Sequence, residues 1–447
     1  MYDLSPNTFA LRRERLVEAM GDEAVFILAG PAMQTRSNDT HYAYRPNSDL
    51  LYLTGFREPE TVLLLVPGHE DGPFVLFVPD RDPDKEQWEG RRAGPEGAKE
   101  KFGADQAYPL SELKEKLPDF LKGRKELYYT LGQRGDFDRQ VIQWVQELRH
   151  KRNRTEHYPG VVIDPRDLLF SMRLYKEKEE VALLQRACDI TTEAHILAMK
   201  HCRPGMYEYE LQALLEYHFR RSGGEYPAYT TIVGAGDNAT ILHYTENRDL
   251  IEEGDVVLID GGCEYHFYAG DITRSFPASG TFTAAQRDLY QAVLEVQIQA
   301  IDDLQVGIDS VTWRKRTEER LTEKMLDLGL LKGSLEQLVE EKAFRAYYPH
   351  GLGHPLGLDV HDVGLVQKSA EEGMTVAAGM VFTVEPGLYI PADDQSAPKE
   401  MRGVGIRIED DILVTTAGPE NLTARCPKSL EEIEALVGSG NPRDLEN

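Results

Sequence analysis

Apolar and polar positions change rhythm near residue 176. Before it, short unbroken apolar runs, AVFILAG (24–30), DLLYLTGF (49–56), TVLLLVP (61–67) and PFVLFVP (73–79), alternate with more polar stretches. Runs of that length between turn residues read as buried strands. Helical spacing covers Ser111 to Leu121 and again Asp136 to His150. Strands alternating with helices predict an α/β domain over 1–170. The charged stretch HKRNRTEHYPG (150–160) and DPRDLLFSMRLYKEKEEV (164–181) then read as a bridge to a second domain over 171–440.

In that second domain a long helical pattern runs from Lys176 to about Cys202, where Arg203-Pro204-Gly205 stops it. Another spans about 207–221 and closes at Gly223-Gly224. A third starts at Thr283, whose partner Gln286 three residues on makes a capping box. Its face carries Leu289, Val293, Val296 and Ala300. Between the helices lie β-type segments: TTIVGAG, DVVLIDGG, FYAGDITRSF, MVFTVEPGLYI and VGIRIEDDILVT. Helices packed on an antiparallel sheet predict an α+β domain.

Two of these segments repeat a pattern. GDVVLID begins at Gly254 and reaches Asp260 six residues later; GMVFTVE begins at Gly379 and reaches Glu385 six residues later. After a Gly-containing turn each is followed by a strand with a second acid, Asp271 in AGDITRSF and Glu409 in IRIEDDILV. A histidine in an apolar setting precedes each unit, His243 and His361, at 11 and 18 residues from the glycine. The series predicts a duplicated fold whose halves each supply two carboxylates and a histidine. In the first half a hairpin turning near Glu264 to His266 brings Asp260 close to Asp271, since antiparallel neighbours stand near enough to share a site.

The segment HGLGHPLGLDVHD (350–362) adds His350, His354 and His361, with Gly351, Gly353 and Gly357 expected to let the backbone turn tightly. His195, His201, His218 and His266 read as ordinary core or surface residues. Asp260, Asp271, His354, Glu385 and Glu409 therefore form a set of four carboxylates and one imidazole. Four carboxylates cannot stay ionised together without cations, and two divalent metal ions balance their charge. Oxygen-rich ligation favours Mn2+, with Co2+, Fe2+ or Zn2+ as other candidates. Two metals can hold a bridging hydroxide and polarise a carbonyl at once, which is chemistry for hydrolysis. His243, His350 and His361 are then expected to face the substrate and donate to a developing oxyanion.

Charge narrows the partners. With 50 basic against 76 acidic residues, the chain carries a formal charge of −26. Nucleic acid and anionic membranes both call for clustered Lys and Arg, so neither is an expected partner. The N-terminal stretch lacks the apolar core of a signal peptide, and no apolar run reaches the roughly 20 residues of a bilayer span. Cys188, Cys202, Cys263 and Cys426 are scattered without zinc-type pairing. These features lead to the expectation of a cytoplasmic protein with reduced thiols.

Over nearly its whole length the chain resembles the aminopeptidase P group of the pita-bread metallopeptidases, which also include prolidase and methionine aminopeptidase. The resemblance rests on Asp39, YRPNSDLLYLTGF (44–56) and WEGRRAG (88–94), and on ILHYTEN, VLIDGGCEYHFYAGDITRSFP, HGLGHPLGLDVHDVG, VFTVEPGLYI and RGVGIRIEDDILVT. It implies a pita-bread catalytic domain with pseudo-twofold duplication and release of the N-terminal residue from peptides with proline in second position. It further implies that Asp260 binds one metal through both oxygens, that Asp271 and Glu409 bridge the two, and that His354 and Glu385 hold the other. Glu385 would shuttle the proton, His361 and His243 would steady the tetrahedral intermediate, and His350 would lie beside the substrate. Arg407 is expected either to hold an acidic ligand or to form an ordinary strand salt bridge; Tyr229 either lines the cleft or packs in the core. Pro355 after His354 departs from relatives with an aromatic there. Either Arg152 or Arg154 could reach a substrate. WEGRRAG could approach a neighbouring subunit, in a homo-oligomer that is a dimer or tetramer. The rival activities are an Xaa-Pro dipeptidase (prolidase), methionine aminopeptidase, and a metal-free pita-bread binding protein or creatinase-type hydrolase; the last two are disfavoured because all five ligands are present.

Overall fold

The computed structural model describes residues 4–150, 157–364, 368–369 and 371–441, and the chain divides into two units between Met172 and Arg173. That division falls inside the stretch read as a bridge. Arg152 and Arg154 lie outside the described residues.

The first unit has strands β1 (Ala24–Ala29), β2 (Thr35–Ser37), β3 (Thr40–His41), β4 (Val62–Leu65), β5 (Phe74–Val78), β6 (Gln106–Pro109), β7 (Glu126–Tyr128) and β8 (Val161–Ile163). Six of them form a mixed sheet in the order β6-β5-β4-β1-β7-β8, while β2 and β3 pair with each other. Burial along β1, β4 and β5 is nearly continuous, so their sequences show no alternation. Helices Leu113–Leu121 and Gly135–His150 lie where helical spacing placed them.

DLLYLTGF is the exception. It is a helix, Ser48–Thr54, not a strand. Asn47 accepts the Leu50 N–H at 3.0 Å as an N-cap, and Gly55, at φ 67°, ends it in the left-handed conformation. All seven helical residues are buried, which erases the amphipathic period that would have marked a helix. Its last carbonyls are satisfied by the first helix (Pro6–Met20): the buried Arg12 and Arg13 guanidiniums donate to the Tyr52 and Leu53 carbonyls at 3.1 and 2.8 Å.

The second unit contains β9 (Tyr226–Pro227), β10 (Ile232–Ala235), β11 (Val256–Gly261), β12 (Cys263–Tyr265), β13 (Tyr268–Ala269), β14 (Ile272–Pro277), β15 (Val381–Val384), β16 (Gly387–Ile390), β17 (Val404–Arg407), β18 (Asp410–Thr415) and β19 (Gly418–Asn421). Helices Lys178–His201, Glu208–Arg221 and Ala284–Asp303 match the sequence reading, with the Thr283 capping box formed. A further helix, Ser310–Asp327, is so rich in charge that its apolar stripe does not stand out.

The duplication is visible in the pairing. In the first half an outer antiparallel pair, β11 with β14, leads to an inner pair, β12 with β13, closed by His266 and Phe267 at positive φ. In the second half the outer pair is β15 with β18 and the inner pair is β16 with β17. Each long β segment expected from sequence is thus broken once, and the acids sit at or beside the breaks. The first break uses Gly262 and Gly270, which approach so closely that a Cβ on Gly262 would lie 1.7 Å from the Gly270 carbonyl oxygen. The second contains Pro386, whose missing N–H cannot continue a ladder. Pseudo-twofold pita-bread architecture is therefore the fold of this unit. No helix among the described residues is long and apolar enough to cross a membrane.

Candidate metal centre

The breaks of both halves open onto one cavity of about 660 Å³. Asp260, Asp271, His354, Glu385, Glu409, His243, His350, His361, Arg407 and Tyr229 all line it. Oxygens of Asp271 and Glu409 and a ring nitrogen of His354 lie within 4.8 Å of one another. The His354 Nε2 is 3.5 Å from Asp271 and 3.6 Å from Glu385.

Local backbone explains how His354 arrives there. Residues 352–356 run beside β15: the Glu385 N–H donates to the Leu352 carbonyl at 2.9 Å, Thr383 to His354 at 3.0 Å, and Leu356 to Val381 at 3.0 Å. Gly353 is needed for close approach, since a Cβ would stand 1.9 Å from the Thr383 carbonyl oxygen. Gly351, Gly353 and Gly357 all lack positive φ, so close approach rather than a left-handed conformation is what Gly353 supplies here. Pro355 makes a bridge contact with Phe382. His354 Nδ1 faces the Pro355 carbonyl at 3.0 Å, which leaves Nε2 directed at the carboxylates.

Around the carboxylates, charge is out of balance. Asp260 receives the Arg407 Nη2 at 2.6 Å and the Tyr229 hydroxyl at 2.5 Å; the same hydroxyl also contacts Asp271. One phenolic proton cannot serve two ionised carboxylates. Burial pushes the Asp271 and Glu409 carboxyls up, and raises Glu385 to about 7 against the pull of His354 and Arg407. Although burial disfavours its charged form, His354 rises to about 9 because Asp271 and Glu385 stand beside it. A site that draws protons in this way suits a divalent cation, and its donors, four carboxylates and one imidazole, are those of a hard or borderline metal.

Arg407 pairs with Asp260, an acidic member of the set, and also donates to Thr273 and Tyr389. Tyr229 lines the cavity. His350 is kept neutral, its pKa lowered to about 3 by burial and by Arg407, with Nε2 2.7 Å from the Tyr389 hydroxyl and Nδ1 2.8 Å from the Gly351 carbonyl. His361 is exposed to the cavity and packs edge-on against His354, ring centroids 4.3 Å apart; burial and His354 lower its pKa. His243 is itself exposed on the cavity's edge, between Leu242 and Tyr244, which pack against the apolar cluster of Ile232, Ala239, Leu258 and Tyr389.

Sequence reasoning missed three supports. Tyr389 links Arg407 to His350; the Thr273 hydroxyl donates to Glu409 at 2.6 Å; Asp411 accepts the Asp271 N–H at 2.9 Å. The run Glu409-Asp410-Asp411 divides its labour. Glu409 faces the cavity, whereas Asp410 is fully buried under Arg274 (2.7 Å) and Lys428 (2.6 Å). The triplet EDD was a signal, but nothing in it said which acid points where.

The chain belongs to metallopeptidase family M24, whose family model matches residues 182–416. Within that family its first unit gives the branch: residues 9–128 match the aminopeptidase P N-terminal domain. The chain is 45% identical over 439 residues to the Xaa-Pro aminopeptidase of Escherichia coli (strain K12), covering 98% of this chain and 99% of that protein. It is 39% identical to the Xaa-Pro aminopeptidase of Haemophilus influenzae, with 98% of both covered. Among solved structures, aminopeptidase PepP of Pseudomonas aeruginosa matches with a TM-score of 0.95 at 43% identity over 98% of each chain. Zinc-substituted E. coli aminopeptidase P in complex with product matches at 0.94 and 44% identity, over 97% of this chain and 98% of that one. The family resemblance read from the motifs holds, and the protein is a metal-dependent hydrolase.

Proposed function

We propose that this enzyme releases the N-terminal residue from peptides whose second residue is proline. The observation that carries the reading is the single cavity on which four carboxylates and His354 converge with too few cations of their own. Asp260, Asp271, His354, Glu385 and Glu409 would hold two divalent ions, Mn2+ by the oxygen-rich donor set. When bound, such ions supply Lewis-acid polarisation of the scissile carbonyl and a water that is nucleophilic at neutral pH. Glu385 takes the proton from the attacking water and passes it to the leaving nitrogen. His243 and His361, both exposed to the cavity, donate to the developing oxyanion. His350, held neutral, orients the substrate, and Arg407 keeps Asp260 in place.

Specificity follows from what this machinery does not require. An Xaa-Pro bond has no N–H and restricted φ. A cleft that grips the carbonyl and attracts the terminal ammonium with acidic groups loses nothing from the missing donor. Similarity to aminopeptidase P spans both units, which separates this reading from a prolidase. The protein works in the cytoplasm. It assembles as a dimer or tetramer, a reading supported by Trp88, which is 88% exposed on a helix with no buried residue (Pro83–Glu89).

The test is a rate comparison with added manganese. Xaa-Pro-Yaa peptides should be cleaved faster than Xaa-Pro dipeptides and far faster than Xaa-Ala-Yaa. Exclusive dipeptide cleavage would make it a prolidase, and equal rates on alanine peptides would remove proline specificity.

A further inference from the structure

We propose that Arg173 and Lys176 are positioning residues for His361, acting through its neighbour Asp362. The two adjacent residues face opposite ways: His361 is exposed to the cavity, while the Asp362 side chain is 1% exposed. Arg173 Nη2 donates to Asp362 Oδ1 at 2.5 Å and to Asp359 Oδ2 at 2.7 Å. Lys176 Nζ donates to Asp362 Oδ2 at 3.0 Å. Two cations and two carboxylates thus meet in a largely buried cluster.

The backbone is built around this clamp. The Asp362 N–H donates to the Pro355 carbonyl at 2.9 Å, which closes the loop from Pro355 to Asp362. Gly357 leaves room for it, since a Cβ there would lie 2.1 Å from Asp362 Oδ2 and 3.0 Å from Lys176 Cε. Lys176 in turn donates its own N–H to the Gly379 carbonyl at 2.8 Å, at the start of the segment that carries Glu385. One residue therefore ties the His361 loop to the approach of the Glu385 strand.

Stability alone gives little reason for such a cluster, because buried ion pairs gain little over well-packed apolar residues. Charged forks do fix direction. With both Asp362 oxygens engaged, the loop cannot roll, and His361 keeps its ring toward the cavity and against His354. Misplacement of a reacting group by about 1 Å costs on the order of 10²-fold in rate. The RLYK segment (173–176), read in the sequence as part of a bridge and, at Lys176, as the start of a long helix, thereby acquires a task.

The inference rests on the reading of His361 as an oxyanion donor, and a double-mutant cycle on the metal-loaded enzyme separates the two. Lys176→Met should keep its metal and its KM and lose kcat roughly 10- to 100-fold. In a His361→Ala background the same change should lower kcat less than about twofold, because the group it positions is gone. Asp359→Asn removes a half-exposed member without stranding a buried charge; its smaller kcat loss should also vanish beside His361→Ala, and it serves if Lys176→Met does not fold. Penalties that multiply in the double variants would overturn the positioning role while leaving His361 intact as a donor. A His361→Ala enzyme with full kcat would overturn the donor reading and this inference with it.

Discussion

Asp260 and Glu385 occupy equivalent breaks in the two halves of the second unit, yet their surroundings differ. Asp260 is gripped by the Arg407 guanidinium and the Tyr229 hydroxyl, each within 2.6 Å. Glu385 has one weak neutral donor, the Thr383 hydroxyl at 3.3 Å, and otherwise faces His354 and His350 at 3.6 and 3.8 Å. Arg407 of the second half and Tyr229 of the first thus hold one carboxylate fast, while its counterpart has fewer direct donors. The duplicated halves have diverged in side chains and also in their breaks, Gly262 and Gly270 in one against Pro386 in the other.

The largest effect should follow from emptying the seam between the halves. His354→Ala or Asp271→Ala is expected to lose bound metal together with activity, by at least about 10³-fold, more than one hydrogen-bond donor usually contributes. Elemental analysis beside the assay checks this, and full activity in metal-free protein would end the metal reading.

Next comes the stitch between the halves. Arg274, on the first half's β14, donates to the Glu409 carbonyl at 2.6 Å and to the Asp410 carboxylate at 2.7 Å on the second. Arg274→Met should therefore destabilise the fold by about 3–5 kcal/mol, by leaving the buried Asp410 with Lys428 and the neutral donors Gln297, Asn421 and Thr423 but without its guanidinium. Denaturant unfolding measures it; a loss under 1 kcal/mol would show the halves to be held together elsewhere.

One histidine from each half sharpens the comparison further. His243→Ala and His361→Ala should each keep metal and lose kcat by about 3 kcal/mol of transition-state stabilisation. If either variant also released metal, the division between ligands and donors would fail.

The smallest effect concerns pH. His195, fully buried behind the first half, contacts the Gly261 carbonyl at 3.0 Å, and burial lowers its pKa to about 4. It is neutral in the fold, whereas the unfolded chain protonates it below about 6.5. Its contribution is thus fully present above that pH and is lost as pH falls toward 4, by up to about 3 kcal/mol. His195→Gln should unfold with a flatter pH dependence between 6.5 and 4; an unchanged slope would refute the assignment.

Most of the site was legible because ligation imposes sequence order. The paired glycine-to-acid spacings of Asp260 and Glu385 record a duplicated backbone, and the pairing of β11–β14 and β15–β18 reproduces it. Tyr389 was not legible: its role arises from register, where it lies opposite Gly405, close to Arg407 on the neighbouring strand. The helix Ser48–Thr54 was misread because complete burial hides periodicity, although Asn47 and Gly55 marked its ends. Asp410 and Asp411 stand beside Glu409 in the sequence and act as scaffold, a distinction set by tertiary partners such as Arg274 and Cys188.

The break in each hairpin separates anchoring from reach. Residues beyond it are held unequally: the first half turns tightly at His266 and Phe267, whereas the 391–403 connection seats Ala397 and Met401 in the core beneath the pair that carries Arg407. A designer who wished to alter that connection would therefore have to keep those two anchors and vary exposed positions such as Asp393 and Lys399.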